Sequence, residues 1–300
     1  MIIAHRGASG LAPENTLAAF ELALALGSDG VEFDVQLSAN GRAVVIHDLR
    51  VDRTTASVGA VSRLSTDELS ALEAGRWFQR RLRGRPRLRA EVSLIRSRYS
   101  KFGHAQASEN VPTLEQVLNL IARAPLKRVF IELKGPLRQT RSLLPIVLES
   151  VRLFRLERIV TILSFDHGLI DIASSLKKGI RTGALFSLGR PGAMSARALI
   201  RRVREIDADE VAVHFALATP RMIDSLHAEA IAVTAWTINS RLMMRRLALS
   251  GVDAIMTNFP NRLAEVLSEP PDVKRGIATR LRVRDSRAHE SILKGTRTSD

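Results

Sequence analysis

Short apolar runs alternate with longer segments of helical periodicity along most of the chain. Nine runs rich in Val, Ile and Leu show little polar alternation, which is typical of strands buried on both faces. They cover residues 2–5, 30–36, 43–47, 128–134, 159–165, 182–186, 210–215, 232–238 and 253–257. The segments between them predict helices at 14–26, 113–124, 138–154, 166–176, 193–204, 220–230 and 240–249. This alternation favours a parallel α/β fold.

We predict a (β/α)8 barrel of the TIM type with a short insertion after the third strand. Nine candidate strands are one too many, and segment 36–43 is too short for the crossover helix that parallel strands need. Either that pair is not a regular β/α unit, or one segment is not a barrel strand. An open doubly wound sheet is disfavoured because no Gly-rich dinucleotide or phosphate loop follows a strand. The predicted barrel domain covers 1–268, its insertion about 56–111, and a basic, flexible tail 269–300.

Composition changes this picture little. The 300 residues are 45% hydrophobic, which excludes a wholly disordered chain, and no apolar run is long enough to span a membrane. The absence of cysteine excludes disulfides, thiolate zinc sites and a cysteine nucleophile. With no secretory leader visible, we expect a cytoplasmic protein.

Charge is the unusual feature, with 45 basic against 31 acidic residues and a net charge of +14. For the chain as a whole we favour a general preference for Arg codons over attraction to phosphates, nucleic acid or anionic membranes. Residues 76–101 concentrate ten basic residues against one acid, Glu91. We interpret this stretch as an ordinary solvated insertion. The alternative is a flap, carrying Trp77, Phe78, Tyr99 and Phe102, that weakly contacts phospholipid head groups or guides anionic substrates. No recognition motif accompanies the charge, so no nucleic-acid partner is expected.

Acidic side chains stand at or near the ends of two predicted strands. Glu32 and Asp34 are two residues apart on a strand and therefore point the same way. Two buried like charges need a cation or a proton to compensate them. Glu132 adds a third carboxylate from another strand end, and the carboxyl ends of barrel strands share one face. Three carboxylates suit Mg²⁺ or Ca²⁺, although pairing with Arg6 and Lys134 is the alternative explanation.

Two histidines also stand at strand ends. A lone histidine there is more often structural, but His5 and His47 near carboxylates form a plausible acid/base pair. Arg6 and Lys134 add fixed positive charge, which suits phosphate oxygens. A metal, two imidazoles and two cations together describe a site for an anionic phosphate ester.

The ordered set of motifs resembles the glycerophosphodiester phosphodiesterase family over about residues 2–265. Any one motif is weak, whereas the set in this order is specific. The motifs are His5-Arg6-Gly7-Ala8, Pro13-Glu14-Asn15-Thr16, Glu32-x-Asp34-Val35, His47-Asp48, Asp52-Arg53-Thr54-Thr55, Pro112-Thr113-Leu114-Glu115, Glu132-x-Lys134, Ser164-Phe165-Asp166, Trp236-Thr237-Ile238-Asn239 and Gly251-Val252-Asp253.

The resemblance implies a barrel hydrolase that uses one divalent metal ion, Mg²⁺ or Ca²⁺, to cleave glycerophosphodiesters to sn-glycerol 3-phosphate and an alcohol. The implied metal ligands are Glu32, Asp34 and Glu132. The implied general base and acid are His5 and His47, in an order that the sequence leaves open. Arg6 and Lys134 would hold the phosphate, and Phe165 and Trp236 would wall the glycerol pocket. Direct attack by water and a cyclic phosphate intermediate both remain open.

One departure from the family pattern lies near the end of the barrel. The usual Thr-Asp-x-Pro is replaced by Thr257-Asn258-Phe259-Pro260. We expect this exchange to affect loop anchoring and to leave the chemistry untouched.

Three other functions are alternatives to this interpretation. A related phosphodiesterase could act on lysophospholipid or sphingomyelin-like substrates. A catalytically silent phosphodiester-binding protein is disfavoured, because it needs neither both histidines nor all three acids. A barrel isomerase or aldolase usually has a Schiff-base lysine or a C-terminal phosphate loop, and no convincing loop is evident near the last strands. The sequence indicates neither the alcohol nor an oligomeric state.

Overall fold

The apolar runs form strands close to the predicted bounds. In a computed structural model, which describes residues 1–99, 109–176, 179–189 and 195–269, these strands have the following limits. They are β1 (Ile2–His5), β2 (Gly30–Leu37), β3 (Ala43–Val45), β4 (Arg128–Leu133), β5 (Val160–Ser164), β6 (Arg181–Phe186), β7 (Glu210–His214), β8 (Ala232–Trp236) and β9 (Ala254–Thr257).

Eight of these strands are parallel and close into a barrel, which confirms the predicted (β/α)8 fold. The hydrogen-bonded order is β1-β9-β8-β7-β6-β5-β4-β2, and β1 pairs with β2 to complete the circle. Closure leaves no open sheet edge among these strands, and their carboxyl ends meet at one mouth.

The surplus strand is β3, which lies outside the barrel circle. It pairs with β2 in antiparallel fashion, with Val45 opposite Val35 and Ala43 opposite Leu37. A tight turn at 38–42 suffices, since antiparallel neighbours need no crossover helix. β2 therefore rises past the mouth and β3 returns, so that the Ile46 N–H donates to the Asp34 carbonyl. The assignment of segment 43–47 as a possible barrel strand is thus corrected, yet His47 still reaches the mouth.

Among the described residues, eight helices pack around the strands, and three further helices lie within the insertion. They are α1 (Leu17–Ala25), α2 (Thr66–Ser70), α3 (Arg76–Arg83), α4 (Pro86–Arg98), α5 (Leu114–Ile121), α6 (Leu137–Leu153), α7 (His167–Leu176), α8 (Ala196–Glu205), α9 (Pro220–His227), α10 (Arg241–Leu249) and α11 (Pro260–Ser268). A short 3-10 turn covers Val61–Arg63. None of the helices within the described ranges combines the length and apolar character needed to cross a bilayer.

The first helix begins later than predicted. Thr16, with extended backbone, caps its N-terminus by accepting from the Ala19 N–H, so α1 starts at Leu17. Glu14 and Asn15 lie at the barrel mouth instead. Glu14 accepts a hydrogen bond from Arg6, which follows β1, and Asn15 donates to Asp34 on β2. The functional site thus overrides local helical propensity here.

The barrel interior has three tiers. Buried Glu210 closes the amino-terminal end, where it accepts hydrogen bonds from Thr161 (2.9 Å) and Arg128 (3.3 Å). An apolar tier above it includes Phe130 and Leu163. The top tier, at the carboxyl ends, is polar.

The described part of the arginine-rich stretch forms α3 and α4, in a region where the sequence pattern predicts neither strand nor helix. Phe78, Leu82 and Val92 are buried beneath it. The predicted tail lies outside the described residues apart from Glu269, which pairs with Arg245.

Candidate active site

Strand register brings the three predicted metal ligands together. Asp34 on β2 lies opposite Glu132 on β4, and Glu32 lies opposite His5 on β1. One oxygen from each of the three carboxylates lies within 4.8 Å of the others. All three residues are buried, at 7% exposure or less. Since hard divalent cations prefer several oxygen ligands, this geometry can hold one ion.

Two cations contact the same carboxylates, so the alternative pairing is also present. The Lys134 Nζ lies 2.6 Å from Glu132 Oε1 and 3.4 Å from Asp34 Oδ1, and the Arg6 Nε lies 3.1 Å from Asp34 Oδ2. Arg6 also pairs with a second carboxylate, however, because its Nη1 donates to Glu14 at 2.8 Å. Asp34 Oδ1 accepts no hydrogen bond within the described part of the chain.

The network around these groups carries surplus negative charge. With every group ionised, its five carboxylates exceed its three cations by two charges. The members are Glu14, Glu32, Asp34, Asp48, Glu132, Arg6, Arg53 and Lys134. A divalent cation would neutralise this excess, whereas the protein's own cations alone do not.

The pKa values of the carboxyls reflect the same excess. Burial, together with Asp34 and Glu132, raises the pKa of Glu32 well above its ordinary value. Burial raises the pKa of Glu132 to about 7, although Lys134 opposes the change. Burial would also raise the pKa of Asp34, but Arg6 and Lys134 hold it below its ordinary value. Two of the carboxyls are therefore held toward the protonated form, and a metal ion would take the place of their protons.

His5 is fixed at the end of β1 with one ring nitrogen toward the carboxylates. Its Nδ1 lies 2.8 Å from Asn258 Oδ1, which can only accept, so Nδ1 carries the proton in this pairing. Its Nε2 lies 3.9 Å from Glu32 Oε2 and 3.4 Å from Thr237 Oγ1. Burial, reinforced by Arg6, lowers the pKa of His5 to about 3. The ring is therefore neutral at pH 7, with an unprotonated nitrogen toward the site.

The hydrogen bond from His5 corrects the expectation for position 258. Asn258 follows β9 and its side chain contacts the ring of His5 directly, so position 258 is not remote from the predicted catalytic residues. An amide oxygen accepts a hydrogen bond from Nδ1–H but does not add the negative charge that would stabilise an imidazolium.

His47 is anchored in the same way by a charged partner. Its Nδ1 lies 2.6 Å from Asp48 Oδ1, and Asp48 is held in turn by Arg53. Burial lowers the pKa of His47, while Asp34 and Asp48 act against the change. Both histidines thus fix Nδ1 on a side-chain oxygen, one with a carboxylate and one with an amide.

Two adjoining spaces meet at this point. An inner cavity of about 120 Å³ is lined by eight of the nine predicted site residues, with Asp34 outside its lining. Phe165 and Trp236 stand edge to face in its wall, with ring centroids 5.6 Å apart. An open groove of about 1080 Å³ shares His47, Glu132, Lys134 and Phe165 with it, whereas His5 lines only the inner cavity.

Besides Asn258 and Asp48, three residues of the site received no role from the sequence. Asn15 donates its amide to Asp34 Oδ2 at 2.9 Å, and Glu14 binds Arg6. Arg53 bonds to both Glu14 and Asp48, and so connects the Arg6 side of the site to the His47 side. Each lies within a quoted family motif, which was the available signal.

Comparison with known proteins identifies the family of the chain. The sequence model of the glycerophosphoryl diester phosphodiesterase family matches residues 5–262. A glycerophosphodiester phosphodiesterase of Caldanaerobacter subterraneus subsp. tengcongensis is 30% identical over 269 residues, which cover 89% of this chain and 97% of that protein. One from Bacillus altitudinis is 30% identical over 270 residues, covering 89% and 98%.

Solved structures show the same likeness. A phosphodiesterase of Oleispira antarctica, in complex with the product sn-glycerol-3-phosphate, superposes with a TM-score of 0.75 at 26% identity, covering 90% of this chain and 97% of that one. A glycerophosphodiester phosphodiesterase of Agrobacterium tumefaciens gives 0.66 at 27% identity, covering 88% and 98%. The chain therefore belongs to the glycerophosphoryl diester phosphodiesterase family.

Proposed function

We propose that this protein hydrolyses glycerophosphodiesters to sn-glycerol 3-phosphate and an alcohol, with one bound divalent cation, Mg²⁺ or Ca²⁺. The observation that carries the proposal is the set of three buried carboxylates within 4.8 Å of one another, beside a cavity that both histidines line. The product held by the Oleispira antarctica relative supports the choice of substrate.

Glu32, Asp34 and Glu132 would hold the cation. When bound, it would stabilise the negative charge that develops on the phosphoryl oxygens. Asn15 orients Asp34 through its 2.9 Å hydrogen bond. Arg6 and Lys134 supply further positive charge to the phosphate from fixed positions in the same cavity.

His5 is proposed as the general base. Its ring is neutral and directs the unprotonated Nε2 toward the site. Because the Asn258 amide carries no negative charge, it does little to keep Nε2 protonated in the free enzyme. His5 lines only the inner cavity, whose size and walls of Phe165 and Trp236 suit the glycerol end of the substrate. The attacking oxygen would therefore lie on the glycerol side, either as water or as the glycerol 2-hydroxyl, and His5 would take its proton.

His47 is proposed as the general acid. It lines both the inner cavity and the open groove, which supports a position where the departing alcohol would leave the phosphorus. Asp48 at 2.6 Å supports the protonated ring through its negative charge. His47 would donate its proton to the leaving oxygen, which keeps that group from departing as an alkoxide.

The decisive test is a substrate panel assayed with and without added divalent cation. Release of sn-glycerol 3-phosphate that requires the cation supports the proposal, and tight binding without turnover refutes it. Phosphorus NMR of the reaction would reveal a cyclic phosphate and thereby separate the two attacking oxygens.

We propose that the arginine-rich insertion is a solvated surface rather than a membrane contact. Glu91, the one acid of residues 76–101, accepts from Arg262 Nε at 3.0 Å and from Asn261 at 3.2 Å, which fastens α4 to α11. The exposed arginines of α4 then point to solvent on a fixed element. Sedimentation with phosphatidylglycerol vesicles should leave the protein in the supernatant at physiological salt, whereas salt-sensitive pelleting would favour head-group docking.

A further inference from the structure

The open groove beside the inner cavity is lined by a positioned cation that the proposed chemistry does not use. Arg202 on α8 lines the groove, and its Nε donates to His167 Nδ1 at 3.2 Å. The other ring nitrogen of His167, Nε2, lies 3.0 Å from the Leu185 carbonyl at the end of β6. The His167 ring also packs against Phe186, with centroids 4.7 Å apart. Arg202 is therefore tied to the barrel wall through a ring that is itself fixed.

The guanidinium keeps donors to offer to a ligand. Nη1 donates to Glu205 at 3.2 Å, whereas Nη2 has no partner within the described ranges of the chain. Glu205 is not among the groove-lining residues, so the face of Arg202 toward the groove is cationic.

The described lining offers little to a positively charged ligand. Its acids are already engaged: Glu132 contacts Lys134, Asp48 bonds to His47 and Arg53, and Asp166 accepts from two N–H groups at the start of α7. Quaternary ammonium groups are usually recognised by several aromatic faces. Phe165 is the one Phe, Tyr or Trp in the described lining, and Lys134 Nζ lies 5.7 Å from its ring centroid.

We propose that Arg202, positioned by His167, binds the alcohol moiety of the substrate, and that this alcohol presents hydroxyl or anionic oxygens rather than a quaternary ammonium. The inference rests on the proposed function, since it assigns the leaving group of that reaction to the groove. Glycerophosphoinositol represents the favoured class and glycerophosphocholine the disfavoured one.

The test compares the two diesters on the wild type, Arg202→Met and Arg201→Met. Arg201 is the matched control because it precedes Arg202 on α8, is 74% exposed and pairs with the same Glu205, at 3.7 Å. We expect the wild type to favour glycerophosphoinositol in kcat/KM. That preference should fall about tenfold in Arg202→Met, mainly through KM, as for the loss of one hydrogen bond to a charged group. Arg201→Met should retain it.

A wild-type preference for glycerophosphocholine, or an equal preference ratio in Arg202→Met and the wild type, would overturn the inference. Equilibrium binding of both diesters gives the same ratio without turnover. Absence of hydrolysis would therefore refute the proposed function alone, whereas an affinity ratio independent of Arg202 would refute the assignment of the groove.

Discussion

Replacing Arg53 should disturb both sides of the catalytic site at once. Its guanidinium donates two hydrogen bonds to Asp48, at 2.6 and 3.1 Å, and two to Glu14, at 2.9 and 2.7 Å. Asp48 anchors His47, and Glu14 anchors Arg6. Arg53→Met keeps much of the side-chain volume and removes all four hydrogen bonds.

The size of the effect follows from exposure. A hydrogen bond to a charged group contributes about 1.5–3 kcal/mol, but the Arg53 side chain is 43% exposed, which weakens its ion pairs. We therefore expect the free energy of unfolding to fall by roughly 2 kcal/mol in total. A displacement of about 1 Å in a reacting group can cost about 100-fold in rate, so kcat/KM should fall roughly 10- to 100-fold.

The assay is the initial rate of sn-glycerol 3-phosphate release at saturating cation, at a temperature where circular dichroism shows every variant folded. Arg50→Met is the control, since Arg50 lies on the same loop, is 59% exposed and, among the described residues, forms its ion pair with Asp52 alone at 3.0 Å. Arg53→Lys keeps the charge but lacks the planar set of donors that forms two hydrogen bonds to each carboxylate, and its activity should fall between those of Arg53→Met and Arg50→Met. If Arg53→Met retained the activity of Arg50→Met, the argument that Arg53 positions the site would be wrong.

Three further outcomes are expected. His5→Ala and His47→Ala should each lose about two to four orders of magnitude in rate, and near-normal turnover in either would remove its proton-transfer role. Chelation by EDTA should stop release of sn-glycerol 3-phosphate and added Mg²⁺ or Ca²⁺ should restore it, whereas turnover indifferent to chelation would reject the metal assignment. Burial opposes the shift, but Arg53 and His47 lower the pKa of Asp48 from 3.8 to about 2. The stabilisation by the Asp48 carboxylate is therefore complete above pH 3.8 and is lost as pH falls through about 2. Urea midpoints of the wild type and Asp48→Asn should differ near neutrality and converge toward this lower pH, and a constant gap would contradict the assignment.

The barrel and most of its mouth could be predicted because parallel strands impose a common direction. Once 2–5, 30–36 and 128–134 are strands of one barrel, their polar carboxyl ends must meet, and register then sets Asp34 beside Glu132. His47 was placed at the right mouth for a partly wrong reason, since it arrives on an antiparallel return strand.

The partners of the site residues could not be predicted, because they join distant parts of the chain. Nothing in the spacing shows that Asn258 meets His5, or that Arg53 bridges Glu14 and Asp48. These contacts depend on loop conformations that only the closed barrel defines.

Helix α4 of the insertion could have been predicted from the spacing of its apolar residues, which the many intervening arginines make difficult to recognise. Leu88, Val92, Ile95 and Tyr99 follow helical spacing and pack on the core, after Pro86 at the first position of α4.

The hydrogen bond between His5 and Asn258 joins residues separated by 253 positions. The imidazole is supplied by the first strand of the barrel to be synthesised, and its anchor follows the last barrel strand. A nascent chain that has not yet emerged through β9 therefore lacks the partner that orients His5, the proposed base. Catalytic competence would then arise only when the two ends of the barrel meet, after β9 has been made.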